Sequence, residues 1–464
     1  MTYRNILIAP FILFAMLIVM AIYWWGYKSP IIGVDDANIY FVYMRNFAEG
    51  NGFVWNTGGE RVEGFTSLIW TLFGALAYFI APTYFNVILL IANFLLIFFT
   101  LRSVLNFSRR LNGTEREPLT AIDMLIISLL VLPLGFIEWG IIALMETGLW
   151  TFLIVHLTLQ LCQYCLDSKG FNAAKFSLMI ILLDLTRPES MALGLVFIAV
   201  LFVLFLSKEG QSRAWKAALA PLVLHLGTLA SVVLWRLSYF GYPFPNTYYA
   251  KVSGSFTDNI VSGVQYLFRF FYSYPHAAIA IGVLVLFLFL LAQRFRTLRG
   301  TVNSEEKVMA VLLVVVFTGL ALPVVTGGDH FLYSRFYQPF LPLVYLAVTW
   351  GYFWREYVGL SIQPKRLSMI VLVLPVIFGI LFFSKFTMFD LMKKRDSVNF
   401  NILADFFIAQ NGRKLAEKMN ETFDGVYPSL GALATGSIGY SYKGRTIDLL
   451  GLNNTTMAHA NSIK

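Results

Sequence analysis

Long apolar runs alternate with short polar breaks along the chain, and the pattern predicts a bundle of membrane helices. A bilayer span takes about 20 largely apolar residues. Runs of roughly that length without Asp, Glu, Lys or Arg cover 5–27, 64–101, 147–166, 190–207, 217–235, 270–293, 308–328, 336–354 and 367–384. Two weaker segments join them, 119–137 with Asp123 inside and 173–186 with Asp184 inside. The first run is too long for a signal peptide and ends in Tyr23, Trp24 and Trp25 with no small-residue cleavage site. Its aromatic end suits a membrane interface.

Basic residues set the expected orientation. With the N-terminus and the loops 102–119, 167–175, 208–216, 294–307 and 355–366 inside, that side holds 17 Lys and Arg, against 6 in the opposite loops. Loop 28–63 then lies outside and loop 102–119 inside, so an odd number of crossings separates them. The run 64–101 therefore splits into an interfacial or half-inserted helix over 66–80 and a crossing over 84–101. The expected fold is an all-α polytopic membrane protein with about eleven crossings. Residues 1–386 form the membrane domain, with the first outer loop at 28–65. Residues 387–464 form a small extracytoplasmic α+β domain, with a helix over 400–419 and strands near 432–442 and 445–450.

Composition agrees: of 464 residues, 58% are hydrophobic and 13% charged, about half the charged share of a soluble domain. The net charge of +9 follows the topology rather than a nucleic-acid-binding stripe, which excludes a nucleic-acid partner. Cys162 and Cys165 stand alone within one apolar helix and read as packing residues, not as metal or redox chemistry.

The chemistry-bearing residues collect on the outer side. After Gly33 comes Asp35-Asp36, followed by Tyr40, Tyr43 and Phe47 at helical spacing, which predicts an amphipathic helix on the membrane surface. One carboxylate suffices to cap such a helix; two in sequence point to catalysis or metal binding. Glu63 follows in a polar rim, and Glu146 opens an apolar helix that it could cap. Asp184, Arg187 and Glu189 interrupt apolar segments, where ionisable groups are costly and functional suspects. Asp184 and Arg187 are spaced to pair with each other. Asn246, Tyr248 and Lys251 occupy an outer loop, and Lys251 suits a phosphate or a headgroup. Asp329, His330 and Arg335 follow Gly327-Gly328, with metal-ligand or proton-transfer chemistry available. His156 and His225 read as hydrogen-bonded core residues. In the tail, Asp448 is the carboxylate that stands out most.

The run from Asp35 to Asn56, D-D-A-x-I-Y-F-x-Y-x-R-N-x-A-E-G-x-G-x-V-W-N, is followed by Glu60-Arg61-Val62-Glu63-Gly64-Phe65-Thr66. This pattern resembles GT-C type membrane glycosyltransferases, in particular the branch containing the mycobacterial terminal arabinofuranosyltransferases. Met145-Glu146-Thr147, Thr186-Arg187-Pro188-Glu189, Pro245-Asn246-Thr247-Tyr248-Tyr249-Ala250-Lys251, Gly327-Gly328-Asp329-His330 and Ile447-Asp448-Leu449-Leu450-Gly451-Leu452 extend the resemblance along the chain.

The resemblance implies a GT-C-like helical core, an extracytoplasmic active site and a polyprenyl-phosphate sugar donor, with inversion at the anomeric carbon. By this likeness Asp35 matches the first and Asp36 the second acidic position of the class, and both are expected to be catalytic. The expected substrate contacts are Tyr40, Arg45, Glu63, Glu146, Arg187, Glu189, Asn246, Tyr248, Lys251, Asp329, His330 and Arg335. Arabinofuranose is the favoured sugar, and the acceptor a cell-surface glycan or a protein such as pilin. A divalent cation is the candidate cofactor, and a bacterial inner membrane the expected location. The competing reading is a transporter or flippase of a lipid-linked saccharide, which would favour internal repeats and midplane polar groups. No repeat is evident, and the polar groups cluster at one face.

Overall fold

The computed structural model describes residues 7–27, 30–117, 119–167, 171–251, 255–297, 302–331, 333–359 and 401–460. The apolar run 367–384 lies outside the described residues. Helix α1 (Ile8–Tyr27) leads through a turn to α2 (Asp35–Ala48), α3 (Leu68–Ile80) and α4 (Phe85–Asn112). Then come α5 (Ala121–Val131), α6 (Thr147–Leu166), α7 (Ala173–Thr186), α8 (Ser190–Glu209) and α9 (Gln211–Phe240). Next are α10 (Asn246–Lys251), α11 (Phe256–Ser273), α12 (Pro275–Thr297), α13 (Ser304–Thr326), α14 (Leu341–Val348) and α15 (Gly351–Val358). The C-terminal segment carries α16 (Asn401–Phe423), β1 (Leu430–Ala432), α17 (Gly436–Ser441), β2 (Thr446–Asp448) and α18 (Thr455–His459).

Among the described residues, six helices are long and apolar enough to cross a membrane: α4, α6, α8, α9, α12 and α13. Several expected spans are shorter for local reasons. The run 119–137 yields only the 11-residue α5, because Pro133 and Gly135, at φ 124°, cannot continue a helix. The run 336–354 breaks at Thr349–Trp350 into α14 and α15. The run 64–101 divides at 81–84. Its first part, the 13-residue α3, covers roughly 20 Å, short of the ~30 Å hydrocarbon thickness. The region 241–269, read as an outer loop, instead holds α10 and the amphipathic α11, which lies against α13.

The bundle has chemically distinct ends. At one, Arg109 pairs with Asp123, Lys208 donates to the carbonyls of Tyr164 and Cys165, Arg294 pairs with Glu306, and Lys307 donates to Ser207. Arg109, Lys208, Arg294 and Lys307 belong to the loops grouped together by their basic side chains. At the other end sit α2, α10, the turn after α13, and the C-terminal segment.

Helix α2 is not a surface helix with one wet face. Ala37 to Met44 and Asn46 are all buried, between α3 on one side and α16 and α17 on the other. Phe41 packs edge-on against both Phe85 and Tyr440. Each such large apolar side chain contributes about 1.5–3 kcal/mol on burial. The expected strand 432–442 is likewise replaced: β1 ends at Ala432, and 436–441 turn into α17. β1 pairs in parallel with β2, Leu430 opposite Thr446 and Ala432 opposite Asp448.

Candidate active site

The first outer loop and the C-terminal segment are held together by side-chain-to-backbone bonds. Arg45 donates to the Tyr440 carbonyl at 2.8 Å and covers its ring. Asn56 both accepts from the Thr446 amide and donates to its carbonyl. Tyr43 donates to Asn453, and Arg413 donates twice to Asn38. Asn246 reaches from α10 to the carbonyls of Gly451 and Leu452, at 2.6 and 3.2 Å. Arg45 and Asn246, expected to contact substrate, thus join the two segments.

Asp35 belongs to the same joint. One carboxylate oxygen accepts the Gly436 amide at 3.0 Å and the other the Ser437 amide at 2.8 Å. The carboxylate therefore caps α17, where free N–H groups favour a negative charge. Burial raises the Asp35 pKa, while the bonds from Ser437 pull it down. The approach is close enough that a Cβ on Gly436 would come within 2.0 Å of the Asp35 carbonyl oxygen. Only glycine fits there.

Asp36 points elsewhere. Its carboxylate lies 3.6 Å from Lys251 Nζ and 3.8 Å from the Arg335 guanidinium. It faces an open cavity of about 270 Å³ whose lining includes Asp35, Asp36, Lys251, His330, Phe331 and Asp405, together with apolar side chains such as Ile39, Ile408 and Leu452. Arg335 is buried among Trp139, Phe331 and Phe336, whose ring faces hold its cation. Asp329 anchors Arg335 from behind at 2.6 Å and also accepts from the His330 amide. Burial opposes ionisation of Asp329, but the Arg335 guanidinium outweighs it and holds the carboxyl well below the usual range. The His330 ring stands exposed at the cavity edge, Nδ1 at 3.1 Å from Asp329.

Glu146, Arg187 and Glu189 form a buried cluster that backs the site. Arg187 donates to Glu146 and, bidentately, to Glu189, and packs over Trp150 and Phe336. It does not pair with Asp184. α7 ends at Thr186, and Arg187 is extended because Pro188 follows. The turn carries its side chain away from Asp184, which bonds His225 at 2.9 Å instead. Tyr40 receives the amides of Thr66 and Ser67. Glu63 grips Arg236 bidentately at 2.8 and 2.9 Å. Tyr248 is exposed and contacts Phe244 and Tyr249. Of the expected residues, Asp35, Asp36, Lys251 and His330 line one cavity, and Asp329 holds Arg335 beside Asp36; the rest brace the site or lie apart.

Asp405 of α16 is the cavity residue that sequence reading missed. Among the described residues no donor bonds its carboxyl. Burial, reinforced by the Asp36 charge, pushes it up to about 7. The signal was a lone carboxylate in the run Leu403-Ala404-Asp405-Phe406-Phe407-Ile408, on a helix expected to be amphipathic. Asp448, which stood out instead, is consumed by a turn, accepting from Leu450 and Asn453.

Both oxygens of Asp35 and of Asp329 are engaged, and Asp36 already faces two cations within 4 Å. Among the described residues no three His, Cys, Asp or Glu side chains converge as a ligand set.

The fold these elements build is shared with solved structures of an archaeal oligosaccharyltransferase. The chain is similar to the Archaeoglobus fulgidus oligosaccharyltransferase in its apo form (TM-score 0.53, 11% identity, covering 94% of this chain and 63% of that one). It is similar to the same enzyme in complex with Zn and sulfate (TM-score 0.52, 12% identity, 94% and 61%). It also matches archaeal AglB from A. fulgidus in complex with an inhibitory peptide and a dolichol-phosphate (TM-score 0.51, 11% identity, 96% and 64%). The chain thus spans a little under two-thirds of the length of these relatives. No protein-family profile and no curated protein matches the sequence.

Proposed function

We propose that the chain is a multi-pass membrane glycosyltransferase that moves a sugar from a polyprenyl-phosphate donor to a glycan or protein acceptor. The observation that carries this reading is the juxtaposition of Asp36 with Lys251 and Arg335 beside one cavity, which Asp36 and Lys251 line. Leaving phosphate needs fixed positive charge, and Lys251 and Arg335 supply it. The anomeric carbon becomes oxocarbenium-like as the phosphate departs, and a carboxylate beside it lowers that barrier; Asp36 takes this role. Asp35 keeps the C-terminal segment seated over the cavity. The buried ion pairs of Arg187 and Asp329 fix the arginines, so little reorganisation is needed during reaction.

The fold supports this, being shared with enzymes one of which was solved with a dolichol-phosphate and a peptide. Displacement is single and inverting, and the sugar is arabinofuranose, with a cell-surface glycan or pilin-like protein as acceptor. The basic end of the bundle faces the cytoplasm, which puts the cavity and the C-terminal segment on the extracytoplasmic side of a bacterial inner membrane. Offering purified protein a panel of labelled polyprenyl-phosphate sugars tests the reading, and label must appear on acceptor.

A further inference from the structure

Three carboxylates border the cavity, and their surroundings differ. Asp35 has both oxygens committed to the amides that open α17. Asp36 sits between Lys251 and Arg335, at 3.6 and 3.8 Å. Asp405 lines the same cavity from α16, half-buried, with no hydrogen-bond donor among the described residues and with Ile408 one turn further on. We propose that Asp405 is the proton acceptor for the hydroxyl that attacks the donor sugar, a role resting on the glycosyltransferase reading above.

In the step, the acceptor oxygen forms a bond to the anomeric carbon as the bond from that carbon to the phosphate oxygen breaks. The bonding pair leaves on the polyprenyl phosphate, beside Lys251 and Arg335. The hydroxyl proton passes to the Asp405 carboxylate and then to solvent. Two carboxylates in unlike settings divide the work: the one within 4 Å of two cations stabilises charge, and the one that forms no ion pair among the described residues takes the proton. A base is most effective when its proton affinity lies near the working pH, and burial next to Asp36 brings Asp405 there. The groups that face it are Asp36 from α2 and Asp329, His330 and Arg335 from the turn after α13.

The test compares wild type with Asp405→Asn, Asp405→Glu and His330→Asn in detergent, using the donor found active for wild type. Asp405→Asn is expected to lose about 100-fold or more in kcat with donor KM within about threefold, since it does not hold the phosphate. The Glu variant is expected to recover most of that loss. Asparagine removes a buried charge without changing shape, so folding is retained, and the Glu variant gives an independent reading. A kcat within about tenfold of wild type in Asp405→Asn overturns the proposal. So does loss of the acidic limb of the pH profile in His330→Asn but not in Asp405→Asn, which would make the His330–Asp329 pair the base. Wild type that moves sugar from no donor sinks the glycosyltransferase reading itself; an active wild type with an equally active Asp405→Asn removes Asp405 alone.

Discussion

Asp35 and Ser437 lie 402 positions apart, and the Asp35 carboxylate accepts the Ser437 backbone N–H at 2.8 Å. The Asp35 carboxylate thus ties α2 to α17, while that of its neighbour Asp36 lies beside Lys251 and Arg335.

Gly436→Ala follows directly from this joint. A methyl there collides with the Asp35 carbonyl, so α17 must shift away from α2. Hydrogen exchange across 430–448 should accelerate, and transfer should fall even though Asp36, Lys251 and Arg335 are untouched. Unchanged exchange in this variant would mean that the contact is dispensable.

Lys251→Ala should act on the donor. Lys251 is only partly buried, 36% exposed at its side chain, and it is a point charge for phosphate. Donor KM should rise about tenfold or more with a smaller effect on kcat. Because fixed cations lie beside the cavity, exhaustive chelation should leave wild-type transfer within about twofold. A chelator-sensitive activity restored by a divalent cation would show a metal-dependent step that Lys251 and Arg335 do not replace.

Arg236→Ala should injure stability rather than chemistry. Removing one partner of a buried, bidentate pair strands the other, here Glu63, and typically costs about 3–5 kcal/mol. Thermal melts in detergent should show the loss. The Michaelis constant of the protein that remains folded should be unchanged; a specific rise would move Glu63 into substrate binding.

The rate should depend on Asp405. Its carboxyl, pushed up to about 7 by burial and then by Asp36, must be ionised to accept a proton. Activity should therefore climb as pH rises through about 7. Stability carries the opposite sign. The folded state holds this proton more tightly than the unfolded chain does, so Asp405 costs stability progressively as pH rises from about 4 to about 7. Asp405→Asn should flatten both profiles. A pH–rate curve with the same limb in that variant would assign the ionisation elsewhere.

The sequence made much of this visible. Charge-free runs located the long helices, and the spacing of Tyr40, Tyr43 and Phe47 located α2. What it hid depends on contacts between distant segments. The burial of α2 comes from α16 and α17, about 400 residues further on. The turn of Arg187 towards Glu146 and Glu189 required Pro188 to be read as ending a helix rather than Asp184 as a partner. Asp405 looked like an ordinary acidic position on an amphipathic helix, since only folding sets it on the same cavity as Asp36. Glu63 and Asn246 showed their polarity plainly, but not that each would meet a buried partner.

The most direct test of Asp36 and of the transfer reaction is an assay with purified wild type and Asp36→Asn, each shown to be folded. The assay offers labelled polyprenyl-phosphate sugars, including arabinofuranose, with membrane extract as acceptor. Wild type should label the acceptor, and Asp36→Asn should fall about 100-fold or more while retaining the wild-type melting temperature. Full activity in Asp36→Asn would contradict the role of Asp36, and no transfer by wild type from any donor would contradict the reaction.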